Sequence, residues 1–361
     1  MATRIDQREP EVIVKRYPCM MEIILNRPGV INALTTEMIL LIHQALDEAL
    51  EEDRYQFVLL LGAGNRGFCA GGDLKRLAKA VKGKTISRAD QFFQEEYALD
   101  LYIHQFPKPV IVIVDAITMG GGLGLSAGAN IVIATERTLM AMPETRIGFF
   151  PDVGATGWLF TKCPRGYPEY LGLVGYAMEG AECIRLGLAD CLTKRTQLPR
   201  LREALQSFPG SLTYEKTIAV QQLKSSLASF FQKDIPANPE MDAWVATHFS
   251  GKTSIQEIMN SLSRCSREDR LCNDVYHRLS ERSPTALVLT LNLLRHNEER
   301  PLEDVFAAET RAAQFMIRHP DYLEGIRARI LDKDDQPHWQ PSTIKEVTPL
   351  EVGLWVEKSR F

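Results

Sequence analysis

Glycine is spread unevenly along this chain, and that distribution constrains the fold more than any other feature. Of 24 glycines, 20 lie at or before Gly187 and only 4 in the 174 residues beyond it. Glycine accumulates where a backbone must turn tightly or approach another segment closely. The front half is therefore expected to be a turn-rich α/β body and the rear mostly helical. MMEIILN (20–26) reads as a short strand, and FVLLLG (57–62), PVIVIVD (109–115) and ANIVIAT (129–135) read as buried ones. Met38, Ile42, Ala45 and Ala49 recur on one face of a helix over 37–52, and further helices are expected over 75–82 and 91–105. This alternation predicts right-handed crossovers and a mostly parallel sheet. Beyond about residue 200, helices are expected over 213–234, 238–249, 254–262, 267–280, 284–296 and 301–318. Pro199 and Pro209 suggest a division into a core over 11–205 and a helical region over 206–361.

Composition removes several classes of function. Hydrophobic residues at 45% and charged residues at 24% are ordinary for a packed globular chain and argue against disorder. The 42 Lys+Arg against 46 Asp+Glu leave a net charge of −4, so no electrostatic case exists for a general nucleic-acid binder. No apolar run approaches the roughly 20 residues of a membrane span. The opening MATRIDQREPEV lacks the apolar core of a secretory signal. The seven cysteines form no CxxC pair, which argues against a disulfide framework or a zinc ribbon. A cytoplasmic protein is expected, without nucleic-acid or membrane partners.

Three glycine clusters carry the chemistry. The densest runs from Thr118 to Gly128 directly after a buried strand. Read as Gly122-x-Gly124-x-x-Ala127, it is a dinucleotide fingerprint with Glu136 as ribose partner, although the separation is short. Read as Gly124-x-Ser126-x-Gly128, it is a hydrolase nucleophile elbow, although the triple glycine already makes the turn ahead of Ser126. Read for the triple glycine itself, it brings backbone N–H groups to a bound carbonyl, as one donor of an oxyanion hole. A turn without chemistry remains open as well. The second cluster, Gly67 to Leu74, precedes a helix and offers a second donor. The run Lys75, Arg76, Lys79, Lys82, Lys84 and Arg88 follows it, as a solvated face or as a partner for phosphate. In the third, Met142 to Gly154, Glu144 and Asp152 lie among apolar and aromatic residues. Lost solvation there raises carboxyl pKa values toward acid–base use; alternatively, Asp152 simply caps a helix over 155–161.

Taken in order and spacing, LNRP (25–28), NAL (32–34), FCAGGDL (68–74), ITMGGGLGLS (117–126) and the stretch from AMPET to PDVG (141–154) resemble the crotonase, or enoyl-CoA hydratase/isomerase, superfamily. Within it, FFQEEYALD (92–100), SPTALVLT (283–290) and EGIRARILDKDDQPHW (324–339) resemble the 3-hydroxyisobutyryl-CoA hydrolase branch. The likeness runs from about residue 11 to the end. It implies an α/β fold built as a spiral of ββα units with a helical C-terminal region. It also implies an acyl-CoA substrate, no metal or redox cofactor, and a possible homo-oligomer. By position, the oxyanion donors would be the N–H groups of Gly72 and Gly121. Glu144 and Asp152 would be the acids tied to hydrolysis, Glu144 as base or as nucleophile. Glu96 would line the acyl pocket, with Glu95 and Tyr97 as weaker candidates, and coenzyme A would lie along Gly71, Gly72, Asp73, Leu74 and Lys75. One departure bears on the reaction. Typical hydratases of the superfamily carry a second glutamate where this chain has Gly124. The resemblance thus implies thioester hydrolysis, with enoyl-CoA hydration or isomerisation and non-catalytic acyl-CoA binding as alternatives.

Overall fold

The computed structural model describes residues 9–83, 85–209 and 211–348, which leaves Lys84 of the basic run outside the described residues. Ten strands occur among them: β1 Val12–Arg16, β2 Met20–Leu25, β3 Phe57–Gly62, β4 Gly67–Cys69, β5 Val110–Val114, β6 Ile117–Met119, β7 Ile131–Thr135, β8 Leu139–Ala141, β9 Met178–Glu179 and β10 Cys191–Thr193. A six-stranded sheet has the order β1-β2-β3-β5-β7-β10, parallel except for the antiparallel β1–β2 pair. A four-stranded sheet has the order β4-β6-β8-β9, with only β9 antiparallel. The first helices are α1 Thr36–Glu51, α2 Leu74–Lys82, α3 Ile86–Gln105 and α4 Gly121–Ala127. Each central strand of the large sheet is followed by a short strand of the small sheet and then a helix. β3-β4 leads to α2 and α3, and β5-β6 to α4. β7-β8 leads to a turn and the Ala155–Lys162 helix. This is the spiral of ββα units that the motifs implied.

The continuous apolar runs are explained by burial on both faces of the large sheet. Side chains alternate. Val58, Leu60, Val112 and Val132 point into the main core, while Phe57, Leu59, Ile111 and Ile133 enter a second apolar cluster. Leu201, Leu205 and Leu223, from helices Leu198–Gln206 and Lys216–Ser226, cover that second face together with Leu227 just after the second helix. The small sheet does something different. β4, β6 and β8 run parallel side by side, and each ends at one of the three glycine clusters. Clusters that are far apart in sequence therefore meet at one edge, outside the carboxyl ends of parallel strands, where α/β sheets bind ligands.

The rear is helical as expected, in Pro239–Phe249, Ile255–Ser263, Arg270–Ser280, Pro284–Asn297 and Leu302–Met316. Asn238, Ser254, Asp269 and Ser283 cap four of these through side-chain acceptors. A single main core joins front and rear, with Phe149, Trp158, Phe306 and Tyr322 in one cluster. Two expectations change. The helix expected over 213–234 stops at Ser226, because Phe231 pairs with Thr193 at the sheet edge and Gln232 donates to the Leu192 carbonyl at 2.8 Å. Tertiary pairing overrides local propensity there. Among the cysteines, Cys265 and Cys272 form one local disulfide beside His248, a bridge that the count of seven did not disclose. No helix among the described residues is long and apolar enough to cross a membrane.

Gly122 shows how closely β4 and α4 approach. A Cβ at this position would lie 2.5 Å from the Cys69 carbonyl oxygen, a backbone atom that cannot swing aside. Gly122→Ala is expected to destabilise the fold by about 1–3 kcal/mol, the usual cost of overpacking, read as a lower urea midpoint.

Candidate active site

The loop after β4 is shaped before it meets any ligand. Asn32, left-handed at φ 53°, donates its amide to the carbonyls of Ala63, Gly67 and Phe68 at 3.1, 3.2 and 3.0 Å, and its oxygen accepts from Arg27 N–H at 2.9 Å. Arg27 reaches Asp73 at 3.0 Å, and Leu34 pairs with the loop through Gly71 O and Asp73 N–H. The LNRP and NAL motifs thus act as a clamp on FCAGGDL. Gly71, at φ +88°, lies against the other loop: a Cβ there would be 3.3 Å from Gly121 N. Among the described residues, neither the Gly72 nor the Gly121 N–H has a hydrogen-bond partner. Both glycines line a cavity of about 260 Å³.

Glu96, Glu144 and Asp152 line the same cavity. Glu144 opens the turn Glu144–Ile147 directly after β8 and lies over Gly120, where a Cβ would come within 2.8 Å of its Oε1. Its Oε2 is buried without a partner. Asp152 is buried and accepts the Tyr97 hydroxyl at 2.7 Å. Glu96 projects from α3, and a side chain at Gly121 would collide with its Oε1. Phe92, Phe93, Phe149 and Tyr322 supply the apolar wall. Burial, reinforced by the charge of Asp152, raises the pKa values of Glu96 and Glu144 well above the usual range. Burial alone pushes Asp152 up to about 7, against the opposing hydrogen bond from Tyr97.

The remaining expected residues divide clearly. Gly71 and Leu74 line the cavity, whereas Asp73 and Lys75 do not. The Asp73 carboxylate caps α2 at Arg76 N–H and pairs with Arg27, so its side chain serves the loop; Lys75 is exposed. Asp73 lines an adjoining depression of about 500 Å³ with Arg76, Lys79 and Arg88, which shares Leu77 and Phe92 with the cavity. The helical phase of α3 turns Glu95 away from the cavity and leaves Tyr97 acting through Asp152. Asp152 does not cap the following helix. The carboxylate of Glu309, from Leu302–Met316, accepts Gly154 N–H at 2.6 Å and Thr156 N–H at 3.1 Å. Ser126 donates to the Leu123 carbonyl inside α4 and Glu136 accepts Arg195 N–H, so the elbow and dinucleotide readings lose their key residues.

Comparison with known proteins supplies the family. The profile described as Enoyl-CoA hydratase/isomerase matches residues 20–354. The chain belongs to that family. It is 35% identical over 331 residues to the mitochondrial 3-hydroxyisobutyryl-CoA hydrolase of Gallus gallus, covering 90% of this chain and 83% of the relative. It is 33% identical over 353 residues to the Homo sapiens protein of the same name, covering 98% and 90%. Among solved structures, a carnitinyl-CoA dehydratase from Mycobacterium thermoresistibile superposes with a TM-score of 0.85 at 32% identity, covering 96% of each chain. An enoyl-CoA hydratase from Rhodobacter sphaeroides 2.4.1 gives 0.85 at 29%, covering 96% of this chain and 97% of its own. The family's fold thus spans both the ββα spiral and the rear helices.

The raised acids carry a stability cost with a definite sign. Between pH 3.8 and about 7, Asp152 ionises in the unfolded chain while it stays protonated when folded, so stability falls as pH rises through that window. Asp152→Asn is therefore expected to melt at a higher temperature than the natural protein at about pH 8. The gap should close below about pH 4; equal melting temperatures at both pH values would contradict the burial argument.

Proposed function

We propose that this chain hydrolyses the thioester of a short, branched 3-hydroxyacyl-CoA of the 3-hydroxyisobutyryl type. The observation that carries this reading is the arrangement of Gly72 and Gly121. Their free N–H groups share one cavity with a buried, unpartnered Glu144 oxygen. The substrate carbonyl oxygen would accept both N–H bonds, which strengthen as it becomes an oxyanion, each worth roughly 10²–10³ in rate. Glu144 would take a proton from water as that water attacks the carbonyl carbon. Collapse of the tetrahedral species would break the C–S bond, and the departing sulfur would take the proton back from Glu144. A carboxyl with raised proton affinity suits this two-way transfer near neutral pH. The products are the 3-hydroxy acid and coenzyme A thiol.

Asp152, oriented by Tyr97, would hold the 3-hydroxyl, and Glu96 would close the acyl pocket. A site that hydrogen-bonds a hydroxyl discriminates against acyl groups lacking one, because its buried polar groups would go unpaired. The thioester arm would pass along Gly71 to Leu74, with Arg76, Lys79 and Arg88 meeting the phosphates of coenzyme A. The names of the curated relatives support hydrolysis, while those of the solved structures point to hydration and dehydration. The bare Gly124 favours hydrolysis. A Cβ at this position would lie 2.5 Å from Asp100 Oδ2 and 2.7 Å from Val153 Cβ, so no glutamate fits there without displacement.

A panel of 3-hydroxyisobutyryl, 3-hydroxypropionyl and crotonyl-CoA separates the readings. Free thiol appearing from the hydroxyacyl substrates supports hydrolysis; loss of enoyl absorbance without thiol supports hydration. No turnover of any of them supports a binding role. Glu144→Gln is expected to lower kcat by about 10²–10⁴, the range of general acid–base effects. Unchanged thiol release by this variant would remove Glu144 from the mechanism.

A further inference from the structure

The disulfide in the rear of the chain sits against a histidine, away from the cavity. His248 belongs to helix Pro239–Phe249, Cys265 follows helix Ile255–Ser263, and Cys272 lies in the first turn of helix Arg270–Ser280. Nε2 of His248 stands 3.8 Å from the sulfur of Cys265 and 3.8 Å from that of Cys272. The other ring nitrogen, Nδ1, is 2.8 Å from Ser261 Oγ, which as acceptor leaves the Nε2 lone pair facing both sulfurs. His248 and Cys272 are buried and Cys265 is half-buried. Among the described residues, no other group of three His, Cys, Asp or Glu side chains converges closely enough to share an ion. None of the three lines the cavity, and no step of the proposed hydrolysis uses them.

We infer that His248, Cys265 and Cys272, once the bridge is reduced, form a zinc site that ties three rear helices together. Two thiolates and an imidazole are a donor set that zinc takes in preference to the hard cations. Tetrahedral zinc, with arms of about 2.3 Å to sulfur and 2.0–2.1 Å to nitrogen, places sulfur and nitrogen roughly 3.5 Å apart, close to the separation already present. The Cα atoms of the two cysteines are 6.4 Å apart, so rotation about the side-chain bonds parts the sulfurs without moving the backbone. A surface depression of about 450 Å³ opens on His248 and Cys265 and gives the ion, with water as fourth ligand, a way in. Lys252 and Arg264 line the same depression and favour thiolate over thiol. Glu257, also there, is held by the Thr253 N–H and hydroxyl at 2.9 and 3.0 Å. A dithiol reductant opens the bridge: it becomes a disulfide itself, and its two hydrogens pass to Cys265 and Cys272. Zinc then displaces both thiol protons to water. The bridge and the ion are thus exclusive states of one site.

Reduction by a phosphine, which leaves no competing thiol, is expected to raise the thiols counted in denaturant from five to seven. The reduced, desalted protein should then retain one zinc per chain by metal analysis after gel filtration, and the oxidised protein none. Cobalt(II) in place of zinc should give the thiolate-to-metal absorption of a tetrahedral site. His248→Gln should weaken zinc affinity by at least about tenfold, the lower end of what loss of an outer partner costs. Zinc should raise the melting temperature of the reduced natural protein but not of Cys272→Ser. Equal uptake by oxidised and reduced protein, or undiminished affinity in His248→Gln, puts the ion elsewhere and overturns the site. So does a folded protein with seven thiols that takes up no zinc, or a bridge that the phosphine does not open. The comparison of oxidised with reduced natural protein needs no variant to fold, and none of these readouts depends on hydrolysis.

Discussion

The crossing of α3 over α4 is the constraint on which the rest of the structure depends. Gly121, Gly124 and Gly128 present no side chains, so the two helices come close enough for Glu96, Asp100 and His104 to fill the space between them. Acids are rarely buried without partners, because a desolvated charge is costly. Burial accordingly raises the proton affinity of Glu96, Asp100 and Glu144 together. The main core supplies the stability that tolerates them, with apolar residues from β2 to the last helices in one cluster. A stabler protein with amides at these positions is easy to imagine, and it would lack groups able to move protons.

Much of this was legible in the sequence for a backbone reason. A triple glycine after a buried strand has few uses, and each requires the chain to approach something closely. The central strands were visible because burial on both faces makes their sequences continuously apolar. The strands of the small sheet were not. β4, β6 and β8 have three residues each, too few to establish an alternation, although they are what brings the clusters together. Asp152 has two roles open to it in the sequence, and sequence alone does not choose between them. The choice depends on Glu309, 157 positions later, which takes over the helix cap and leaves Asp152 facing the cavity. Glu96 was distinguishable from Glu95 only through the phase of a helix whose packing partner is elsewhere in the chain. Asp100 lies one helical turn from Glu96, yet nothing local in the sequence marks it as a buried acid.

Fold similarity does not choose between hydration and hydrolysis, since relatives at comparable identity carry names of both kinds. The reacting wall of the cavity is more informative. A hydratase of the superfamily draws one acid from α4 and the other from the loop after β8. In this chain the α4 position is bare and its space is taken from behind by Asp100, which does not line the cavity. The acids left on the wall are Glu96, from α3, and Glu144 and Asp152, both from one loop and eight residues apart.

Such an asymmetric set suits a reaction in which only one proton has to be moved at the reacting atoms. Water addition across a double bond needs a proton removed on one side and delivered on the other. Thioester cleavage asks less, because an ordinary thiol has a pKa of about 8.5 and its anion departs readily. One carboxyl can then remove the proton from water and return it to sulfur, while the two glycine N–H groups carry the charge that develops on oxygen. The second proton of the water leaves with the acid product, and no group on the wall has to store it. The missing side chain at position 124 therefore removes a hydratase acid and, by the same vacancy, makes room for Asp100.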